Sequence, residues 1–129
     1  MNLLKILIVD DDATVRIGLK TLIAWEQYGY RLVGEAANGQ QAIEIVHREQ
    51  PHIIITDMKM PVMDGLTATV EIRKFNKELP IVALTAHAFD SDKAAALEAG
   101  CNDYLAKPVD KARLMSVLRK YCYSPDIAL

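Results

Sequence analysis

Acidic residues in this chain collect where apolar runs end. Asp10-Asp11-Asp12 follows Leu4–Val9 (LKILIV), and Asp57 follows Ile53-Ile54-Ile55-Thr56. Thr85 closes the run Ile81-Val82-Ala83-Leu84, and Lys107 follows Asp103–Ala106 (DYLA). If those runs are parallel strands, their ends share one edge of a sheet, outside which ligands of open α/β folds bind. Carboxylates crowded there repel one another, and some take up protons unless a cation joins them. A hard divalent ion relieves this; Mg²⁺ keeps several waters and takes one or two carboxylates plus phosphoryl oxygens. Thr85 adds a neutral hydrogen-bond donor and Lys107 a mobile positive charge. A carboxylate in such company suits the transfer of a phosphoryl group, whose charge spreads over its oxygens. An aspartate can itself be the acceptor, forming an acyl phosphate.

The elements that must position these residues show in the hydrophobic periodicity. The Ile53–Ile55 run, between Pro51 and Pro61, is uninterrupted and β-branched, as in a strand buried on both faces within a parallel sheet. Leu4–Val9 reads the same way. Val15, Leu19, Leu22 and Ile23 then fall at helical spacing. One of the three aspartates can cap that helix, which accounts for one acid and not three. Residues 30–37 (YRLVGEAA) read as a strand weakened by Gly34, and Asn38 caps a helix carrying Ala42, Ile43 and Val46 that Pro51 closes. Pro61-Val62-Met63-Asp64-Gly65 turns the chain into a helix over 66–76. Ile81–Thr85 is the fourth strand. Asp90-Ser91-Asp92 can cap a fourth helix rich in alanine, with Gly100 placed as its C-cap glycine. Residues 103–106 form a short fifth strand, Leu114, Val117, Leu118 and Tyr121 mark the last helix, and 124–129 form a frayed tail. Five strands alternating with five helices demand right-handed crossovers and a doubly wound parallel sheet, covered on both faces.

The totals exclude several classes. At 129 residues the chain is one domain, and 51% hydrophobic with 25% charged residues is an ordinary globular composition. A formal net charge of -2 argues against direct gripping of a nucleic-acid backbone, which needs a basic face. No apolar run approaches the roughly 20 residues of a membrane span, and the first residues lack the pattern of a signal peptide. Cys101 and Cys122 show no ligand spacing and read as small residues of a reducing cytosol. A cytoplasmic location is the expectation.

The set Asp10-Asp11, Asp57-Met58-Lys59-Met60-Pro61, Asp64-Gly65, Leu84-Thr85-Ala86 and Lys107-Pro108 resembles the receiver domain of two-component response regulators, over essentially the whole chain. The resemblance implies a flavodoxin-like (βα)5 fold, strand order 2-1-3-4-5, over residues 1–122, with 123–129 as a tail. It implies that Asp57 receives the phosphoryl group from a sensor histidine kinase or a histidine phosphotransfer protein. Asp10, Asp11, Asp57 and the backbone carbonyl of Lys59 match the ligands of Mg²⁺ (or Mn²⁺). Thr85 matches the switch hydroxyl, Lys107 the lysine that pairs with the phosphoryl group, and Tyr104 the aromatic that turns inward when Thr85 moves. Lys59 and His87 match positions that tune dephosphorylation, and Lys107–Pro108 matches a cis bond, least costly before proline. The family's switch would reshape the surface of the fourth helix, fifth strand and last helix for an output partner, with a phosphorylation-dependent homodimer as one form of output. On this reading the chain is a signalling phosphoacceptor, and its only catalysis is its own phosphotransfer and autodephosphorylation. Residues 24–42 resemble regulators with a DNA-binding output domain, whereas 84–108 are more like receivers fused to hybrid sensor kinases.

Blander readings stand beside these. Asp12 reads as a cap rather than a ligand. His47 and His52 read as surface residues without a partner at metal spacing, and His87 as a solvated loop residue. Tyr104 alone would be a half-buried strand aromatic, and Trp25, Tyr28 and Tyr30 pack around the end of the first helix. The alanine-rich fourth helix reads either as good helix formers or as a lightly packed, movable element. Two other functions compete: a haloacid-dehalogenase-like phosphatase with Asp10 as nucleophile, which leaves Asp57 unexplained, and a degenerate receiver that only binds protein.

Overall fold

The computed structural model describes residues 3–86 and 90–121. Five strands, β1 (Leu4–Val9), β2 (Tyr30–Ala36), β3 (Ile53–Asp57), β4 (Ile81–Thr85) and β5 (Asp103–Ala106), form one parallel sheet in the order β2-β1-β3-β4-β5. Four helices connect them, α1 (Ala13–Leu22), α2 (Gly39–Glu49), α3 (Gly65–Arg73) and α4 (Asp90–Ala99), and α5 (Lys111–Tyr121) follows β5. The doubly wound sheet is the one expected from the alternation of patterns, and its flavodoxin-like strand order is the one the resemblance implies.

The continuous apolar runs become central strands because both sheet faces are covered. Ile6, Ile8, Ile53, Ile55, Val82, Leu84 and Leu105 face a core completed by Leu19 of α1 and by Leu114, Val117 and Leu118 of α5. The alternate residues Leu7, Val9, Ile54, Ile81 and Ala83 face a second core with Ala42, Ile45 and Val46 of α2, Ile72 of α3 and Ala96 of α4. Period-two alternation sends successive side chains to opposite layers. β2 survives Gly34 through a register shift opposite Ile6 and Leu7.

Helix starts follow local capping chemistry. Asp12, Asn38 and Asp64 each accept a backbone N–H of the first turn, from Thr14, Gln41 and Thr67 respectively. Gly100 adopts φ 117 just beyond α4, the left-handed side of backbone space that glycine tolerates. α3 is shorter than the 66–76 read from the sequence. Asn76 Oδ1 accepts the N–H groups of Glu78 and Leu79, and Arg73 Nη1 takes the Asn76 carbonyl, so a side-chain turn competes with further helix. A 3-10 turn at Trp25–Tyr28, absent from the sequence reading, packs Trp25 under the sheet, with its indole N–H donating to the Leu19 carbonyl at 3.1 Å. Cys101 is buried, while Cys122 and the tail lie outside the described residues. Among the described residues no helix is long and apolar enough to cross a membrane.

Candidate functional site

Parallel register brings the strand ends together. Val9 pairs with Thr56, Asp57 with Leu84 and Thr85 with Ala106, so Asp10, Asp57, Thr85 and Lys107 emerge side by side at one edge. Asp10 is wholly buried. Its Oδ1 accepts the Asp12 N–H at 2.9 Å, and its Oδ2 lies 2.7 Å from Lys107 Nζ. Lys107 Nζ is also 3.5 Å from Asp57 Oδ2, and Asp57 Oδ1 accepts the Lys59 N–H at 3.3 Å. Asp10, Asp11 and Asp57 each turn one carboxylate oxygen into a common space, all within 4.8 Å of one another.

The electrostatics follow from that crowding. Partial burial pushes the Asp57 carboxyl above its ordinary pKa; the Lys59 N–H and the Lys107 charge pull against it, and the Asp10 charge adds to the rise. Burial alone would lower the Lys107 pKa, but the Asp10 and Asp57 carboxylates outweigh it and hold the ammonium above its ordinary value. Among the described residues Lys107 pairs with Asp10 and Asp57, and Asp11 adds a third carboxylate to the cluster. A divalent cation would balance them, and a set of hard oxygen donors suits Mg²⁺ or Mn²⁺.

Beside the acids, a cleft of about 280 Å³ is lined by Asp57, Met58, Lys59, Thr85, Asp92 and Lys107 among others. Thr85 is 5% exposed and its hydroxyl has no hydrogen-bond partner among the described residues. A buried donor without an acceptor is costly, and here it lines the space where a ligand oxygen could accept it. Tyr104 is half-buried on β5, with Lys93 Nζ of α4 4.5 Å from its ring centroid; contact with Lys93 lowers its phenol pKa. The Lys107–Pro108 bond is cis. Asp12 caps α1 and stands apart from the acid cluster. His87 lies outside the described residues. His47 is exposed and stacks on Phe75 at 4.4 Å, whereas His52 Nδ1 accepts the Lys5 N–H at 2.8 Å. On α4, Ala96 is fully buried and Leu97 is 54% exposed.

Sequence reasoning missed three contributors. Asp92 reads as a cap, yet it lines the cleft from α4; Met58, given no role of its own in the sequence, forms part of the cleft's apolar wall with Leu66 and Leu84. Arg16 of α1 reaches the Asp10 carbonyl with Nη1 at 2.5 Å and Glu35 Oε1 with Nε at 3.1 Å. Its only sequence signal is a cation at helical spacing from Asp12.

Residues 6–119 match the family model described as the response regulator receiver domain. The chain belongs to that family. It is a receiver domain of the two-component signalling systems, and neither competing function is favoured by the match. An uncharacterised 14.6 kDa protein from the sodA1 3′ region of Leptolyngbya boryana is 39% identical over 127 residues, 95% of each chain. The probable transcriptional regulator ycf27 of Porphyridium aerugineum is also 39% identical, over 90% of this chain, but this chain spans only 48% of that protein's length. The receiver domain of the Pseudomonas aeruginosa sensor histidine kinase PA1611, solved with a magnesium ion coordinated in its active-site cleft, is 36% identical, with a TM-score of 0.83 over 95% of this chain and 99% of that one. The receiver domain of Saccharomyces cerevisiae Ssk1, solved with the histidine phosphotransfer protein Ypd1, is 32% identical, with a TM-score of 0.81 over 93% of this chain and 89% of that one.

Proposed function

We propose that Asp57 is the phosphoacceptor of this receiver. The observation that carries the reading is that Asp57 belongs both to the Asp10-Asp11-Asp57 carboxylate cluster and to the cleft lined by Lys107 and by the buried Thr85 hydroxyl, which has no hydrogen-bond partner among the described residues. An Asp57 carboxylate oxygen attacks the donor phosphorus in line, the bond from phosphorus to the donor breaks, and an acyl phosphate remains. Lys107, already 3.5 Å from Asp57 Oδ2, pairs with a phosphoryl oxygen, and the Thr85 hydroxyl donates to another. Asp10, Asp11, Asp57 and the Lys59 carbonyl would hold Mg²⁺ or Mn²⁺, which supplies charge stabilisation for the transferring group when bound.

The donor is a histidine kinase or a histidine phosphotransfer protein; the Ssk1 receiver, solved with such a protein, supports the second. Lys59, at the cleft wall, and His87 set the lifetime of the acyl phosphate. Movement of Thr85 toward the phosphoryl group opens room behind it for Tyr104, whose inward turn alters the α4-β5-α5 surface offered to an output partner or a second copy. Phosphorylation drives this only so far as the phosphoryl group contacts the active arrangement better than the inactive one.

Intact mass after incubation with acetyl phosphate and Mg²⁺ tests the reading on wild type, Asp57→Asn and Asp10→Asn. The proposal expects a hydroxylamine-labile phosphoryl adduct on the wild type that Asp57→Asn abolishes. An adduct that survives Asp57→Asn and disappears in Asp10→Asn would sink it in favour of Asp10 as nucleophile.

A further inference from the structure

Asp11 is exposed, yet it must present a carboxylate at a fixed point if it is to share a cation with Asp10 and Asp57. What fixes it lies in the two peptide planes on either side. A peptide unit is rigid and planar, so anchoring its oxygen or its N–H orients the next Cα. The Asp10–Asp11 plane is anchored by Arg16 Nη1 on the Asp10 carbonyl, at 2.5 Å. The Asp11–Asp12 plane is anchored by the Asp12 N–H on Asp10 Oδ1, at 2.9 Å. Asp12 in turn is tied down as the α1 cap through Thr14.

Arg16 is itself held. Its Nε lies 3.1 Å from Glu35 Oε1, and the second Glu35 oxygen takes Lys20 Nζ at 2.8 Å. The Arg16 side chain is only 19% exposed. Hydrogen bonding to Lys20, and then to Arg16, lowers the Glu35 pKa. The guanidinium thus spans the end of β1, the end of β2 and the first turns of α1.

We propose that Arg16, anchored by Glu35, is a positioning residue for the divalent cation: it aims Asp11 by holding the Asp10 carbonyl. This rests on the reading of the acid cluster as a cation site. Charge and position make opposite predictions here. As a nearby positive charge Arg16 would weaken cation binding; as a clamp it strengthens it. Glu35, shared with Lys20, offsets part of its charge, whereas the hydrogen bond to the Asp10 carbonyl acts directly on the peptide that carries Asp11, so position wins.

The test is Mn²⁺ binding to the purified chain, followed by electron paramagnetic resonance of the free ion, together with urea unfolding without metal. Wild type, Asp11→Asn, Arg16→Met, Arg16→Lys and Glu35→Gln are compared. The proposal expects both Arg16 variants to bind about tenfold more weakly, the usual scale for a residue that orients a metal ligand. Glu35→Gln weakens binding through lost negative charge as well as through the lost anchor, so Arg16→Lys, which keeps the charge and gives up the two-point hold, is the variant that decides if Arg16→Met does not fold. Wild-type binding in a folded Arg16→Met, tighter binding in it, or full rescue by Arg16→Lys would each overturn the clamp. Undiminished binding in Asp11→Asn would instead remove the cation-site reading on which the clamp depends.

Discussion

Replacing Gly65 by alanine sets two effects of known size against each other. Gly65 is the first residue of α3, and helix propensity favours alanine over glycine by about 0.8–1.0 kcal/mol. A Cβ at that position would lie 2.0 Å from the Asp57 carbonyl oxygen and 2.7 Å from Met58 Cε. A methionine methyl can swing aside, but the Asp57 carbonyl belongs to the end of β3. Carbon and oxygen approach to about 3.3 Å at closest in favourable C–H···O contacts, so helix and strand must part by more than about 1 Å. Overpacking costs about 1–3 kcal/mol and occasionally more, and a clash with backbone belongs at the upper end. The expected net loss is about 2 kcal/mol. Gly18 provides the control: it is exposed within α1, with nothing within 4 Å of its would-be Cβ. Gly18→Ala should therefore stabilise by about 0.5–1 kcal/mol. Urea unfolding of the two variants should show midpoints moving in opposite directions. Because the displaced carbonyl is that of the proposed acceptor, Gly65→Ala should also slow phosphoryl uptake from acetyl phosphate about 100-fold. A Gly65→Ala protein as stable as wild type, with unchanged uptake, would refute the reasoning.

Three further expectations follow from the site and its surroundings. Thr85→Val removes a buried hydroxyl that has no partner among the described residues, so the metal-free protein should gain about 1 kcal/mol in urea unfolding; a loss of similar size would show that the hydroxyl is already satisfied. Lys107→Met leaves the buried Asp10 carboxylate without its 2.7 Å countercharge and should cost about 3 kcal/mol without metal, part of which added Mg²⁺ restores; an unaltered unfolding midpoint would contradict this. Burial, with Lys5 adding, lowers the His52 pKa, and its Nδ1 accepts the Lys5 N–H. The unfolded chain therefore binds more protons as pH falls through about 6.5, and stability complete above that value is lost below it. His52→Gln should flatten the fall in stability between about pH 7.5 and 5.5; an unchanged slope would count against the assignment.

The site was legible in the sequence because each central strand is buried on both faces. Its apolar run is uninterrupted, so the polar residue that ends it stands out, and parallel alternation puts Asp10, Asp57, Thr85 and Lys107 on one edge. Capping accounts for one of the three leading acids, the resemblance pairs Asp10 with Asp11, and the structure shows Asp12 as the cap. The rest depends on tertiary placement. Trp25–Tyr28 is too short to carry a period. The end of α3 is decided by Asn76 and Arg73, whose hydrogen-bond partners cannot be read from spacing. Asp92 lines the cleft only because α4 packs over the strand ends. Arg16 is hidden for a similar reason: its partners are a backbone carbonyl and a glutamate on β2, nineteen residues away. His87 falls outside the described residues.

The most direct measurement is where the phosphoryl group goes. Protein treated with acetyl phosphate and Mg²⁺ can be reduced with borohydride, which converts an aspartyl phosphate to homoserine, and the modified peptide then sequenced by tandem mass spectrometry. The account predicts homoserine at position 57 alone, in amounts that fall when Mg²⁺ is chelated. Homoserine at position 10, or equal labelling of several aspartates regardless of Mg²⁺, would contradict it.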